Sequence, residues 1–150
     1  MDNTRFTPFV LLIERISKNI KRIADKEMEA YGLRSAHVMC MLQLSKADGG
    51  LSSSALADVC GVDKAFISRI TNELLEMGYI EKEELPTKKY KTHFYLTESG
   101  LEINAKMTDI VSNYVQCVNK NVPSCEIECF YEVLNEFDSE ISKIANEEKK

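Results

Sequence analysis

Residues 52–72 read Ser-Ser-Ser-Ala-Leu-Ala-Asp-Val-Cys-Gly-Val-Asp-Lys-Ala-Phe-Ile-Ser-Arg-Ile-Thr-Asn, and few folds accept that run. Its spacing is that of a helix-turn-helix. Ala57 is small where two helices must cross closely. Gly61 follows four residues later, where a tight inter-helix turn needs a residue at ease with φ > 0. Leu56, Val62, Ile67 and Ile70 are apolar where the two helices would pack. Lys64, Ala65, Ser68, Arg69 and Asn72 fall together on the opposite face of the second helix. That face is small and polar, sized for a DNA major groove. An ordinary αα-hairpin would need the apolar positions alone, without their coincidence with Ala57 and Gly61.

A chain of 150 residues suits one domain with a real core. Hydrophobic residues make up 44% and charged residues 29%, which places it among globular proteins. No apolar run is long enough to span a bilayer, and the opening Met-Asp-Asn-Thr-Arg has no signal-peptide pattern, so a cytoplasmic protein is expected. The net charge of −5 argues against a protein that coats nucleic acid nonspecifically. It leaves room for a specific binder whose positive charge is local. The charge is in fact uneven: residues 120–150 hold four Lys against eight acids, and residues 86–93 hold three Lys and no acid.

Phe9, Leu12, Ile16, Ile20 and Ile23 recur at helical spacing and predict a helix over residues 6–30, ended by Gly32. Ser35 is the expected cap of a second helix, which Asp48-Gly49-Gly50 stops. Serines 52–54 cap the first helix of the motif. Asp63 caps the second, which runs to about Met77 before Gly78. Residues 79–84 and 92–96 read as two strands around a turn region, Leu-Pro-Thr-Lys-Lys-Tyr-Lys. A hairpin directly after a helix-turn-helix is the layout of a winged helix. Thr97 then caps a long helix to about Lys120. After Pro123 a last helix carries Ile127, Phe130, Leu134, Phe137, Ile141 and Ile144 at alternating spacings of three and four. Such long apolar stripes at both chain ends exceed what one small wing can cover, which favours a dimer built from the terminal helices.

This order of elements resembles the MarR family of transcriptional regulators over nearly the whole chain. The matching stretches are Leu56-Ala57-Asp58-Val59-Cys60-Gly61-Val62-Asp63-Lys64, Leu74-Leu75-Glu76-Met77-Gly78-Tyr79-Ile80 and Phe94-Tyr95-Leu96-Thr97-Glu98-Ser99-Gly100. The last looks like the family's L-T-x-x-G exit from the wing. The resemblance implies a mostly α fold with a small β-wing, a winged helix-turn-helix, assembled as an intertwined helical homodimer. It implies one domain over residues 1–150, with about 1–34 and 98–150 as dimerisation helices and about 35–97 as the DNA-binding lobe. Family members usually bind pseudo-palindromic double-stranded operators, often as repressors, and many respond to small aromatic or phenolic effectors. The recognition helix would run from Asp63 to about Met77, and the wing tip would be Pro86–Lys91. One departure stands out. The family's wing usually carries an Asp-x-Arg or Asp-Arg-Arg run before its second strand, where this chain has Thr87-Lys88-Lys89-Tyr90. The first wing strand, Glu81-Lys82-Glu83-Glu84, is also acidic where the family is commonly basic. Lys makes point-charge contacts rather than a planar fork. These changes argue against base reading by the wing and leave phosphate anchoring by Lys88, Lys89 and Lys91.

The expected DNA contacts are therefore Ser53, Ser54, Lys64, Ala65, Ser68, Arg69, Asn72, Lys88, Lys89 and Lys91. Arg69 is the foremost candidate for a guanine or phosphate. Ser53 and Ser54, at a helix N-terminus, suit a phosphate oxygen. Arg15, His37, Met41 and Tyr114 are the candidate effector-pocket residues, each also readable as packing or surface. The five cysteines, Cys40, Cys60, Cys117, Cys125 and Cys129, form no Cys-x-x-Cys pair and read as reduced core thiols. Cys125 and Cys129 share a helix face at a spacing that suits a metal or a redox pair, though no histidine lies near them in sequence. No cysteine falls between residues 1 and 39, so the first-helix peroxide sensor of some relatives has no counterpart. No nucleophile elbow, phosphate loop or catalytic carboxylate pair is present; neither an enzyme nor a bound cofactor is expected. Two other readings compete: a winged-helix protein-interaction module that does not read DNA, favoured by the net charge and Glu81–Glu84, and a thiol- or metal-responsive regulator acting through Cys125 and Cys129.

Overall fold

The computed structural model describes residues 3–84 and 92–147. In chain order these form α1 (Asn3–Met28), a single 3₁₀ turn (Glu29–Tyr31), α2 (Ser35–Leu44), β1 (Leu51–Ser52), α3 (Ser53–Cys60), α4 (Lys64–Glu76), β2 (Ile80–Glu84), β3 (Thr92–Leu96), α5 (Glu98–Asn119) and α6 (Ser124–Glu147). The chain divides into two compact units, Met1–Ile110 and Val111–Lys150.

In the first unit α2, α3 and α4 bury one face each. Cys40, Met41, Leu56, Ile67 and Leu74 are fully enclosed, and Ala57 and Ile70 nearly so. The expected motif core is met at Leu56, Ile67 and Ile70, while Val62 is half-buried at its edge. Burial of this kind contributes about 1.5–3 kcal/mol for each large aliphatic side chain. Gly61 closes α3 in the left-handed region at φ 65°. There the Val62 N–H reaches back to the Ala57 carbonyl at 3.1 Å, a Schellman closure that satisfies the end of the helix. Ser52 caps α3 by accepting the Ala55 N–H at 3.3 Å, and Asp63 caps α4 by accepting the Phe66 N–H at 2.7 Å.

The cap of α2 differs from expectation. Arg34, not Ser35, is the capping residue, and its backbone N–H donates to Nδ1 of His37 at 3.0 Å. Ser35 instead donates its N–H to Oδ1 of Asp25 at 2.6 Å, which ties α2 to α1. α1 likewise stops at Met28, and the chain tightens into the 3₁₀ turn before Gly32 turns it at φ 71°.

The sheet has three antiparallel strands in the order β1-β3-β2, one more than the expected hairpin. β2 pairs with β3 from Ile80 opposite Leu96 to Glu84 opposite Thr92. β1 adds Leu51 opposite Phe94 and Ser52 opposite His93. Two residues carry no period of their own, so this strand exists only through its partner. Beyond β3, the Thr97 hydroxyl donates to the Gly78 carbonyl at 2.7 Å and accepts the Gly100 N–H at 3.0 Å. The Thr97 N–H meets the Tyr79 carbonyl at 3.1 Å. One side chain thus joins the end of the α4 turn to the start of α5.

The apolar stripe of α1 is left open: Leu12, Ile13, Ile16, Ile20 and Ile23 are all exposed. In the second unit α6 buries no residue. Phe130, Ile141 and Ile144 are exposed, and Ile127, Leu134 and Phe137 are half-buried. The cysteines do not form the expected core set. Only Cys40 is buried; Cys60 is half-buried, and Cys117, Cys125 and Cys129 are exposed, all as free thiols. Apolar neighbours in sequence mark a helix face, but whether that face is covered depends on what packs against it. Burial, and then the nearby Cys60, pushes the Cys40 thiol up to about 12.

Candidate nucleic-acid interface

α4 separates its two faces cleanly. Ile67, Ile70, Thr71 and Leu74 are buried, and the Thr71 hydroxyl is returned to the Ile67 carbonyl at 2.9 Å. Lys64, Ala65, Ser68, Arg69 and Asn72 are all exposed on the other face. Helical periodicity alone dictates this division, because residues three and four apart share a face. The structure therefore brings these five expected contact residues onto one surface. Ser54 is exposed in the first turn of α3, and Ser53 beside it is half-buried. Ser52 performs the capping, so the hydroxyls of Ser53 and Ser54 are not needed for it. Lys88, Lys89 and Lys91, with the rest of the wing tip, lie outside the described residues.

Arg69 is not a free cation. Its guanidinium carbon lies 5.2 Å from the centroid of the Phe66 ring, and its Nε lies 4.0 Å from Oε1 of Glu73. Exposed contacts of this kind contribute about 0–1 kcal/mol each, but they give the side chain a preferred place. The other oxygen of Glu73 is more heavily used. Oε2 accepts from Nη2 of Arg34 at 2.7 Å and lies 2.7 Å from Nε2 of His37. Since Nδ1 of His37 accepts the Arg34 N–H, Nε2 must carry the ring proton and donate to Glu73. The His37 hydrogen bond, and behind it Arg34, hold the Glu73 carboxyl below its usual range despite the opposing cost of partial burial.

The expected pocket residues come from both compact units. Arg15 is exposed on α1, His37 and Met41 are buried in the core, and Tyr114 belongs to the second unit. Both ring nitrogens of His37 are already engaged. Sequence reasoning missed Glu73 and Arg34. The Arg69–Glu73 spacing of four was visible as a helical ion pair; the reach to Arg34, 39 residues away, was not. Among the described residues no three His, Cys, Asp or Glu gather as metal ligands. Nor is any helix among them long and apolar enough to cross a membrane.

The sequence model of the MarR family matches residues 31–89, the span from the 3₁₀ turn into the wing. Over 86 residues the chain is 30% identical to a candidate transcriptional regulatory protein for the hcr operon of Thauera aromatica. That match covers 57% of this chain and 52% of the relative, so the chain spans about half the length of that protein. It is 23% identical over 124 residues to the HTH-type transcriptional regulator BilQ of Clostridioides difficile (strain CD3), covering 83% of both. Among solved structures, that of the S. aureus MepR–DNA complex has the same fold, with a TM-score of 0.81 at 19% identity, over 89% of this chain and 97% of that one.

Proposed function

We propose that the chain is a member of the MarR family and a sequence-specific DNA-binding transcriptional regulator, a repressor acting as a homodimer in the cytoplasm and not an enzyme; the family model over residues 31–89, the similarity to transcriptional regulators and the shared fold support this reading. The observation that carries this reading is the exposed face of α4. Lys64, Ala65, Ser68, Arg69 and Asn72 stand clear of the core on a helix that Asp63 caps and Gly61 positions. In a groove, Arg69 and Asn72 would read base edges, and Lys64, Ser53 and Ser54 would hold phosphates. Lys88, Lys89 and Lys91 would add sequence-independent anchoring, so affinity falls with salt despite the net charge of −5.

Dimerisation supplies the second half of the reader. Each copy exposes an apolar stripe on α1 and another on α6, and a second copy of this chain is their occupant. Two recognition helices about 34 Å apart then meet successive turns of a pseudo-palindrome. An aromatic or phenolic effector that alters this separation would release the DNA.

The experiment is selection of duplexes from a random-sequence pool by the purified chain, followed by titration of the enriched duplex and of a scrambled one. An enriched two-fold-related motif bound with marked salt dependence is the expected result. Protein that is folded and enriches no duplex refutes the reading. It would favour the protein-interaction alternative, for which the exposed Glu81 and Glu83 on β2 offer an acidic strand.

A further inference from the structure

Beside the core packing of Ile67, Ile70 and Leu74, α4 has a polar tie to the rest of its unit at Glu73. Glu73 Oε2 takes both Nε2 of His37 and Nη2 of Arg34, each at 2.7 Å, while Oε1 faces Nε of Arg69 at 4.0 Å. His37 is fully enclosed and its other nitrogen holds the Arg34 N–H, so its ring is not free to follow α4 if it rolls. One residue further on, the Ser35 N–H is bound to Asp25 of α1. Glu73 therefore ties the recognition helix to the junction of α1 and α2. On its own helix it brackets Arg69 from one side while the Phe66 ring brackets it from the other.

We propose that Glu73 is a positioning residue for DNA reading: through Oε2 it fixes the roll of α4 against the α1–α2 junction, and through Oε1 it presets the Arg69 guanidinium. This rests on the DNA-binding reading above. A preset donor loses less rotamer freedom when it meets its base, and a fixed roll keeps Lys64, Ser68 and Asn72 in register with it. Glu73 thereby contributes discrimination without touching DNA. As an anion on the reading helix it also weakens attraction to any duplex. The two effects separate the sign of its charge from the reach of its side chain.

The test uses the full chain, the duplex enriched by the wild type, and a scrambled duplex of equal length. Four variants are titrated against both: E73Q, E73D, E76Q and R34Q. E76Q removes the same charge from an exposed site three residues along α4. It should tighten both duplexes alike and leave their ratio unchanged. E73Q should tighten the scrambled duplex and lower the enriched-to-scrambled ratio by about 5-fold or more. E73D keeps the charge but is one methylene too short to hold both Oε2 partners, and should lose the ratio without tightening the scrambled duplex. R34Q, at an exposed side chain, should lose part of it. Thermal melts accompany each titration. Folded E73Q and E73D with the wild-type ratio overturn the inference, as does an unchanged ratio in R34Q if either Glu73 variant fails to fold. An equal loss of ratio in E76Q also overturns it, since charge alone would then suffice. A wild type that enriches no duplex overturns the DNA reading itself, and this inference with it.

Discussion

The Cα of Gly100 packs directly against the carbonyl oxygen of Tyr79, so closely that a β-carbon there would lie deep inside the oxygen's van der Waals surface. The obstacle is backbone, and Thr97 pins the same carbonyl through its N–H, so nothing can give way cheaply. Gly100→Ala should therefore destabilise the fold by about 1–3 kcal/mol, although alanine is the better helix former. A chemical melt of the variant checks this; unchanged stability would mean the junction between β3 and α5 is more compliant than its geometry.

Arg69→Ala should cost on the order of 1–3 kcal/mol of binding per half-site. It should also relax sequence preference at one position of each half-site, because a lost bidentate contact removes discrimination along with affinity. The melt should hardly move, since Arg69 is exposed and its contacts to Phe66 and Glu73 are weak. Titration against single-position duplex variants reads out all three.

Replacing Lys88 and Lys89 together by alanine should act differently. Affinity should fall for specific and scrambled duplexes in parallel, and the dependence on salt should flatten, as expected when phosphate contacts alone are lost. A loss confined to the specific duplex would assign base reading to the wing.

The purified chain should have the mass of a dimer at micromolar concentration. Phe130 is 56% exposed and Ile144 59% exposed on α6, so replacing both by Glu should yield monomers or insoluble protein. Light scattering separates these outcomes. A wild-type mass equal to one chain removes the dimer from the proposed mechanism.

Glu73 should impose a pH signature on stability. Its carboxyl is held below the usual value near 4.5, so its contribution is fully present above that pH. The contribution is lost as pH falls through the lower value of the folded state. The stability difference between wild type and Glu73→Gln should thus be constant from neutrality to about pH 5 and shrink in more acid solution. Parallel urea melts down the pH scale measure it; a difference that stays level throughout would show the ion contacts to be inconsequential.

The motif helices, their caps at Ser52 and Asp63 and the left-handed Gly61 were legible because each rests on local chemistry within a few residues. The division of α4 into a buried and an exposed face was legible for the same reason. What escaped depends on distant partners. Ser35 looks like a cap by type, yet Arg34 takes that position because His37 is aimed back at it by the core. β1 has too few residues to show alternation. The cysteine pattern predicted a shared burial that only Cys40 has, since α5 and α6 leave their cysteines exposed. Glu73 looked like any exposed helix acid until α2 was placed beside α4.

Ser52 pairs with His93 in the sheet and caps α3 by the same hydroxyl-bearing residue. A wing strand and the first motif helix are thus cast in one piece. In the proposed complex with DNA, a lobe joined in this way would present one footprint per copy. What would be left to vary in the proposed dimer on one duplex is phase. Sliding one copy by a single base-pair step of about 3.4 Å also turns its groove by about a tenth of a revolution. A displacement too small to disturb either half would then bring one recognition helix against backbone instead of bases.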